Sequence, residues 1–236
     1  MCHIYLLHPP GGVVGGDQLS MQCYSASGSH ALLTTPGATR FYRSGGKVAK
    51  LNQTFVVDSG AVMEWLPLES IAFPGTRLDV DTDIRVASDA CFFGWDIWCV
   101  GRPANAEQFD KGLIKGKSRI FIDDRLVLTE RMRIGEGSGV SKAAGLRDYP
   151  VTANAYIVCS DGDALCSSWQ DMLEEEKDSD DFQSAVVGAS YIDGLTVVRG
   201  LAENTETMFR IFTRLWQHAR NHWQGQTPGV PRIWLV

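Results

Sequence analysis

The chain has 236 residues, 44% of them hydrophobic, and 22 basic against 28 acidic side chains give a formal charge of −6. That length suits one large all-β unit or two small domains, and the acidic balance carries no basic footprint for nucleic acid, so a protein partner or a cation fits better. No signal-peptide pattern opens the chain, the most apolar stretch (Cys91 to Val100) is interrupted by Asp96 and too short to cross a bilayer, and six cysteines without a Cys-x-x-Cys pair read as reduced cytoplasmic thiols.

The first residues, Cys2 to Leu7, read as a strand that begins with no lead-in, which predicts a preceding segment not present here. Cys2 and His3 would alternate onto opposite faces, a poor geometry for sharing an ion, and Cys2 is expected to be buried. His8 to Leu19 follows, with two prolines and four glycines in twelve residues. Its backbone conformation should matter more than its side chains. Gly11 to Gly16 has the spacing of a phosphate-binding loop, but Asp17 and Gln18 stand where that loop needs Lys and Ser/Thr, so a structural or interface corner is expected.

Short strand-like runs succeed one another after the corner: Leu19 to Ala26, His30 to Thr35 before a turn at Pro36-Gly37, and a hairpin-like signal at Gly45-Gly46 leading into Val48 to Val57. Pro67, inside Ala61 to Phe73, denies a ladder donor and argues for a strand end or an edge. Thr76 to Ala87 alternates, Cys91 to Val100 suits a buried strand, and Ile120 to Thr129 turns at Asp123-Asp124. Ala185 to Val198 gives two further strands around Asp193-Gly194. Two stretches have helical periodicity: Ala164 to Lys177, with Asp161 or Asp163 placed to cap it, and Thr205 to Trp223, which aligns Met208, Ile211, Phe212, Leu215, Trp216 and Ala219 and ends at Gly225. The expectation is a mainly β fold, a sandwich, barrel or β-solenoid, with two α-helices.

Chemistry is sparsely written. His218 and His222 are four apart on one helix face, a spacing a divalent metal can use, but Ala219 excludes the His-Glu-x-x-His pattern and a solvated pair is the simpler expectation. Asp17, Glu64, Glu69, Asp96 and Glu107 lie in or beside apolar runs, where an ionised carboxylate needs water or a partner. They either line a wet internal path or pair with Arg40, Arg43 and Arg102. No Ser/His/Asp arrangement, nucleophile elbow or metal-ligand cluster stands out.

Four blocks, His8-Pro-Pro-Gly-Gly-Val-Val-Gly-Gly-Asp-Gln-Leu, Thr34-Thr-Pro-Gly-Ala-Thr-Arg-Phe-Tyr-Arg-Ser, Met63-Glu-Trp-Leu-Pro-Leu-Glu-Ser-Ile and Phe93-Gly-Trp-Asp with Gly101-Arg-Pro, closely resemble the UreD (UreH) family of urease accessory proteins. Gly194-Leu-Thr-Val-Val-Arg and the closing Pro231-Arg-Ile-Trp continue the likeness over essentially all of residues 1–236, read as a single domain lacking the family's N-terminal segment. Ala72-Phe-Pro-Gly stands where the family more often has Phe-Asp-Gly. The resemblance implies stacked β-sheets with solenoid-like winding and a pair of helices. It also implies a cytoplasmic, non-enzymatic chaperone that binds apo-urease and, with UreF and the GTPase UreG, conducts nickel to its active site. No cofactor would be held tightly; nickel would be in transit, with Asp17, Glu64, Glu69, Asp96 and His8 as transient contacts. The competing readings are a metal-dependent enzyme using His218 and His222, and a β-type binding module with no metal role.

Overall fold

A computed structural model describes residues 1–136 and 145–235. The chain winds as a β-solenoid-like stack of about three turns. Strands β2 (Gln18–Ser25), β5 (Ala49–Val57) and β8 (Arg77–Val86) lie parallel in a five-stranded sheet. After each of them the chain crosses to the second sheet, where β3 (His30–Thr34), β6 (Val62–Trp65) and β9 (Cys91–Val100) also pair in parallel. The expected turn at Pro36-Gly37 and the expected strand end at Pro67 interrupt the first two runs along this sheet, giving the short continuations β4 (Thr39–Phe41) and β7 (Ser70–Ala72). The third runs unbroken, so β9 pairs with β6 through its first half and with β7 through its second.

Leaving the winding, the chain adds β10 (Leu113–Ile122) parallel to β8 and returns through Asp123-Asp124 into β11 (Arg125–Gly135). Both aspartates have positive φ, 47° and 60°, the left-handed conformation that a tight hairpin demands and Asp tolerates. β12 (Val151–Val158) pairs antiparallel with β9, and the hairpin β13 (Ala185–Ile192) and β14 (Leu195–Ala202) completes the nine-stranded sheet, in which β1 (Cys2–Tyr5) pairs with β3.

The helices α1 (Gly162–Glu175) and α3 (Thr205–Gln224) cover the outer face of this sheet, with the short α2 (Asp180–Gln183) between them in sequence. The apolar stripe of α3 is fully buried from Met208 to Ala219. Its N-terminus is capped by Asn204, whose Oδ1 accepts from the Thr207 amide at 2.8 Å, and Gly225 ends it at φ 66°. Asp161 holds the cap position of α1 without a side-chain bond, and Asp163 sits in the first turn, where a carboxylate favours the helix dipole.

Three expectations are corrected. Gly45-Gly46 is not a hairpin, because β4 and β5 belong to different sheets and the turn carries the chain from one to the other. Cys2 is exposed, since β1 lies at the end of the sheet; all six cysteines are free. The strand through Asp123-Asp124 starts earlier, at Leu113.

The glycine corner is a packed joint. Val13 bridges Phe41, taking the Arg40 carbonyl at 2.7 Å and giving its own to the Tyr42 amide at 2.8 Å. A Cβ on Gly15 would lie 2.3 Å from Ser44 Oγ and 2.9 Å from the Lys47 carbonyl oxygen, so only glycine lets the two turns meet.

Candidate functional site

Side chains between the two sheets fall into two separate apolar clusters, one around Phe55, Ile84, Phe92 and Ile120, the other around Phe41, Leu78, Trp98 and Ile114. A polar row divides them. Register places Gln53 beside Thr82, Thr82 beside Ser118, and Ser118 beside Glu130 across four strands of the five-stranded sheet. In period-two order these share the face of Phe55, Ile84 and Ile120, two positions away.

Asp96 and Asn154, paired across β9 and β12, answer from the other sheet. Asp96 Oδ1 accepts from the Asn154 amide at 3.1 Å and from its Nδ2 at 3.4 Å. Glu130 accepts from the Tyr156 hydroxyl at 2.9 Å and from Arg199 Nε at 2.8 Å, while Thr82 donates to Gln53 at 3.1 Å. Burial pushes the Asp96 carboxyl up to about 6, against the pull of the Asn154 hydrogen bonds and with help from the Glu130 charge. Burial, with Asp96 and Glu130 nearby, likewise drives the Tyr156 hydroxyl well above its ordinary range.

Glu64 points the other way, toward α3. Its carboxylate is completely buried and takes hydrogen bonds from Arg220 Nε and from the Arg220 terminal nitrogen, both at 2.6 Å, and from Trp216 Nε1 at 2.7 Å, with His30 at 3.4 Å. Burial alone would raise its pKa. The hydrogen bonds from Arg220, His30 and Trp216, with the Arg220 charge, outweigh that and hold it below the ordinary value. Glu64 and Asp96 therefore occupy opposite faces of the same sheet.

Among the other candidates, Asp17 Oδ2 takes the Val14 amide at 2.9 Å, so an amide that a phosphate would need is already bound within the corner. Glu69 is half-buried and its carbonyl takes the Thr39 amide at 2.9 Å; His8 is exposed. The alternative of pairing with arginines holds for Glu107, which receives a two-pronged hydrogen bond from Arg102 at 2.8 and 2.5 Å. Glu64 chooses Arg220 instead.

His218 shares a hydrogen bond with Ser168 at 3.3 Å while His222 is exposed, and no group of three His, Cys, Asp or Glu placed to hold a metal occurs among the described residues. Burial, with His222 nearby, lowers the His218 pKa. Reading the sequence missed Gln53, Thr82, Ser118, Glu130, Asn154 and Tyr156. The available signal was a polar residue at an inward, period-two position of strands otherwise apolar on that face.

A solenoid-like stack of parallel strands with two helices packed on one sheet, tied together by Glu64 and Arg220, defines a β-solenoid-like protein without an assembled metal centre among the described residues. The family model described as UreD urease accessory protein matches residues 1–235. Urease accessory proteins UreD from Aliivibrio fischeri (strain MJ11), Escherichia coli and Klebsiella aerogenes are 43%, 43% and 36% identical over 100% of this chain, which covers 83%, 84% and 83% of their lengths. The chain belongs to the UreD urease accessory protein family, as the four sequence blocks implied. That family is one of accessory proteins in urease maturation, not of enzymes. No helix among the described residues is long and apolar enough to cross a membrane.

Proposed function

We propose that this protein is a urease maturation chaperone that works in the cytoplasm, binds the urease structural subunits together with UreF and, through UreF, UreG, and conducts nickel toward the urease active site. The observation that carries the nickel part is the polar row from Gln53 to Glu130 facing Asp96 and Asn154, set between two apolar clusters. Each member of the row is half-buried, and an apolar layer needs no such row for stability, because a polar group taken from water must recover the hydration it loses.

Chemically, the row suits passage more than storage. A carboxyl that titrates near 6 is ionised at neutral pH and attracts a divalent ion. Amide and hydroxyl oxygens around it bind nickel far less firmly than a cage of His and Cys, so the ion is released again. Asp17, Glu69 and His8, nearer the surface, would meet the ion before or after Asp96, whereas Glu64 would first have to leave Arg220. Affinity purification of the chain from cells expressing the urease operon tests the assembly: recovery of the urease subunits with UreF is expected, and recovery of neither would refute it.

A further inference from the structure

Two of the free cysteines face each other where β9 begins and β12 ends. The ladder sets Phe92 opposite Val158, so one step further in the same register Cys91 stands opposite Cys159. At the other end of that ladder the Val100 amide donates to the Pro150 carbonyl at 2.8 Å, which makes those two a hydrogen-bonded pair. The two kinds of antiparallel pair alternate, so the odd-numbered positions of β9, Cys91 among them, belong to the other kind.

Pairs of that kind hold their α-carbons about 4.5 Å apart with the side chains at their closest. A disulfide spans α-carbons roughly 4.4–6.8 Å apart. Both thiols lie on the helix-covered face of the sheet, in the cluster of Phe93, Trp95 and Trp169. Cys159 is buried and Cys91 half-buried. Cys159 also borders a cavity of about 440 Å³ between the turns at Asp123 and Asp193, a way in for a small reagent.

We infer that Cys91 and Cys159 are an oxidation site, which hydrogen peroxide converts to a disulfide stapling the third rung of the winding to the end of β12, just before α1. One sulfur attacks a peroxide oxygen and becomes a sulfenic acid as the first water leaves. The facing sulfur then attacks it and the second water leaves, so two thiols and one peroxide give one disulfide and two waters. Burial, with Cys159 nearby, pushes the Cys91 thiol well above its ordinary range, and burial, with Asp161 nearby, pushes Cys159 up to about 12. Thiolate is therefore scarce at neutral pH: the pair stays reduced through brief exposure, closes under sustained peroxide and closes faster as pH rises.

The test treats the folded chain with hydrogen peroxide until Cys2, the exposed thiol, is oxidised, then blocks the remaining thiols and digests the protein without reductant. A linked peptide joining Cys91 to Cys159 is expected as the main linkage within the chain. The oxidised protein should melt several degrees higher, because the bond constrains the unfolded chain, and dithiothreitol should reverse the shift. Absence of the linked peptide overturns the inference. So does a linkage that forms only in urea, where the ladder no longer sets the pair, or a reversible fall in melting temperature. A reversible rise that persists in Cys91→Ala would assign the effect to another thiol and overturn it as well.

Discussion

Arg220 on α3 forks both oxygens of Glu64 on β6 at 2.6 Å, joining residues 156 positions apart in a buried ion pair. Neither side chain is more than 7% exposed. The pair ties the helical layer to the middle rung of the solenoid, so removing Arg220 leaves a buried carboxylate without its counter-ion, held only by Trp216 and His30. Arg220→Met should cost about 3–5 kcal/mol in urea unfolding, and Glu64→Leu combined with Arg220→Met should recover most of the loss. A single variant as stable as the parent would show that the fork contributes nothing to holding α3 in place.

Gly15→Val should destabilise the fold by more than about 1 kcal/mol, because its Cβ would enter the space of Ser44 and the Lys47 carbonyl. Gly37→Ala, with nothing within 4 Å of the new Cβ and no positive φ, should leave the melting temperature within a degree or two of the parent. Equal melts for the two variants would reduce the corner to a loose loop.

Labelled GTP and ATP should show no micromolar binding to the isolated protein. Asp17 already accepts the Val14 amide within the corner, and its negative charge repels phosphate. A titration giving a micromolar constant would return the corner to the phosphate reading.

Much of this architecture was legible because its signals are local. Cys91 to Val100, apolar but for Asp96, coincides with β9; Asp193-Gly194 announces its hairpin; the six apolar positions of α3 fall on one stripe. Parallel pairing was not legible, since His30 meets Val62, and Val62 meets Cys91, at separations that no turn motif marks. β12 escaped assignment because Ala153, Asn154 and Ala155 dilute its strand preference. The partner of Glu64 lay 156 residues away, and the polar row with Asp96 and Asn154 needed six strands brought into register before its members became neighbours.

Two carboxylates should give the stability curve opposite slopes. Folding holds Glu64 below its ordinary 4.5, so its contribution is present above that value and is lost as pH falls through the lower folded one. Folding raises Asp96 from 3.8 to about 6, so stability from its protonated form is full below 3.8 and is lost as pH rises through about 6. Asp96→Asn keeps an oxygen for the Asn154 amide and removes the charge. It should therefore melt higher than the parent at pH 7, by up to about 3 kcal/mol at 1.4 kcal/mol per unit, and match it near pH 4. Melting curves of the two proteins across that range check the sign.

A carboxylate kept in the interior at a cost in stability needs a use, and conducting nickel is the use proposed. The decisive measurement is nickel content and activity of urease matured with Asp96→Asn in place of the parent, after gel filtration has shown the complex with urease and UreF to be intact. The account predicts an assembled complex whose urease holds a small fraction of the parent's nickel. Full nickel loading with that complex would contradict it, removing Asp96 and the polar row from the path of the ion.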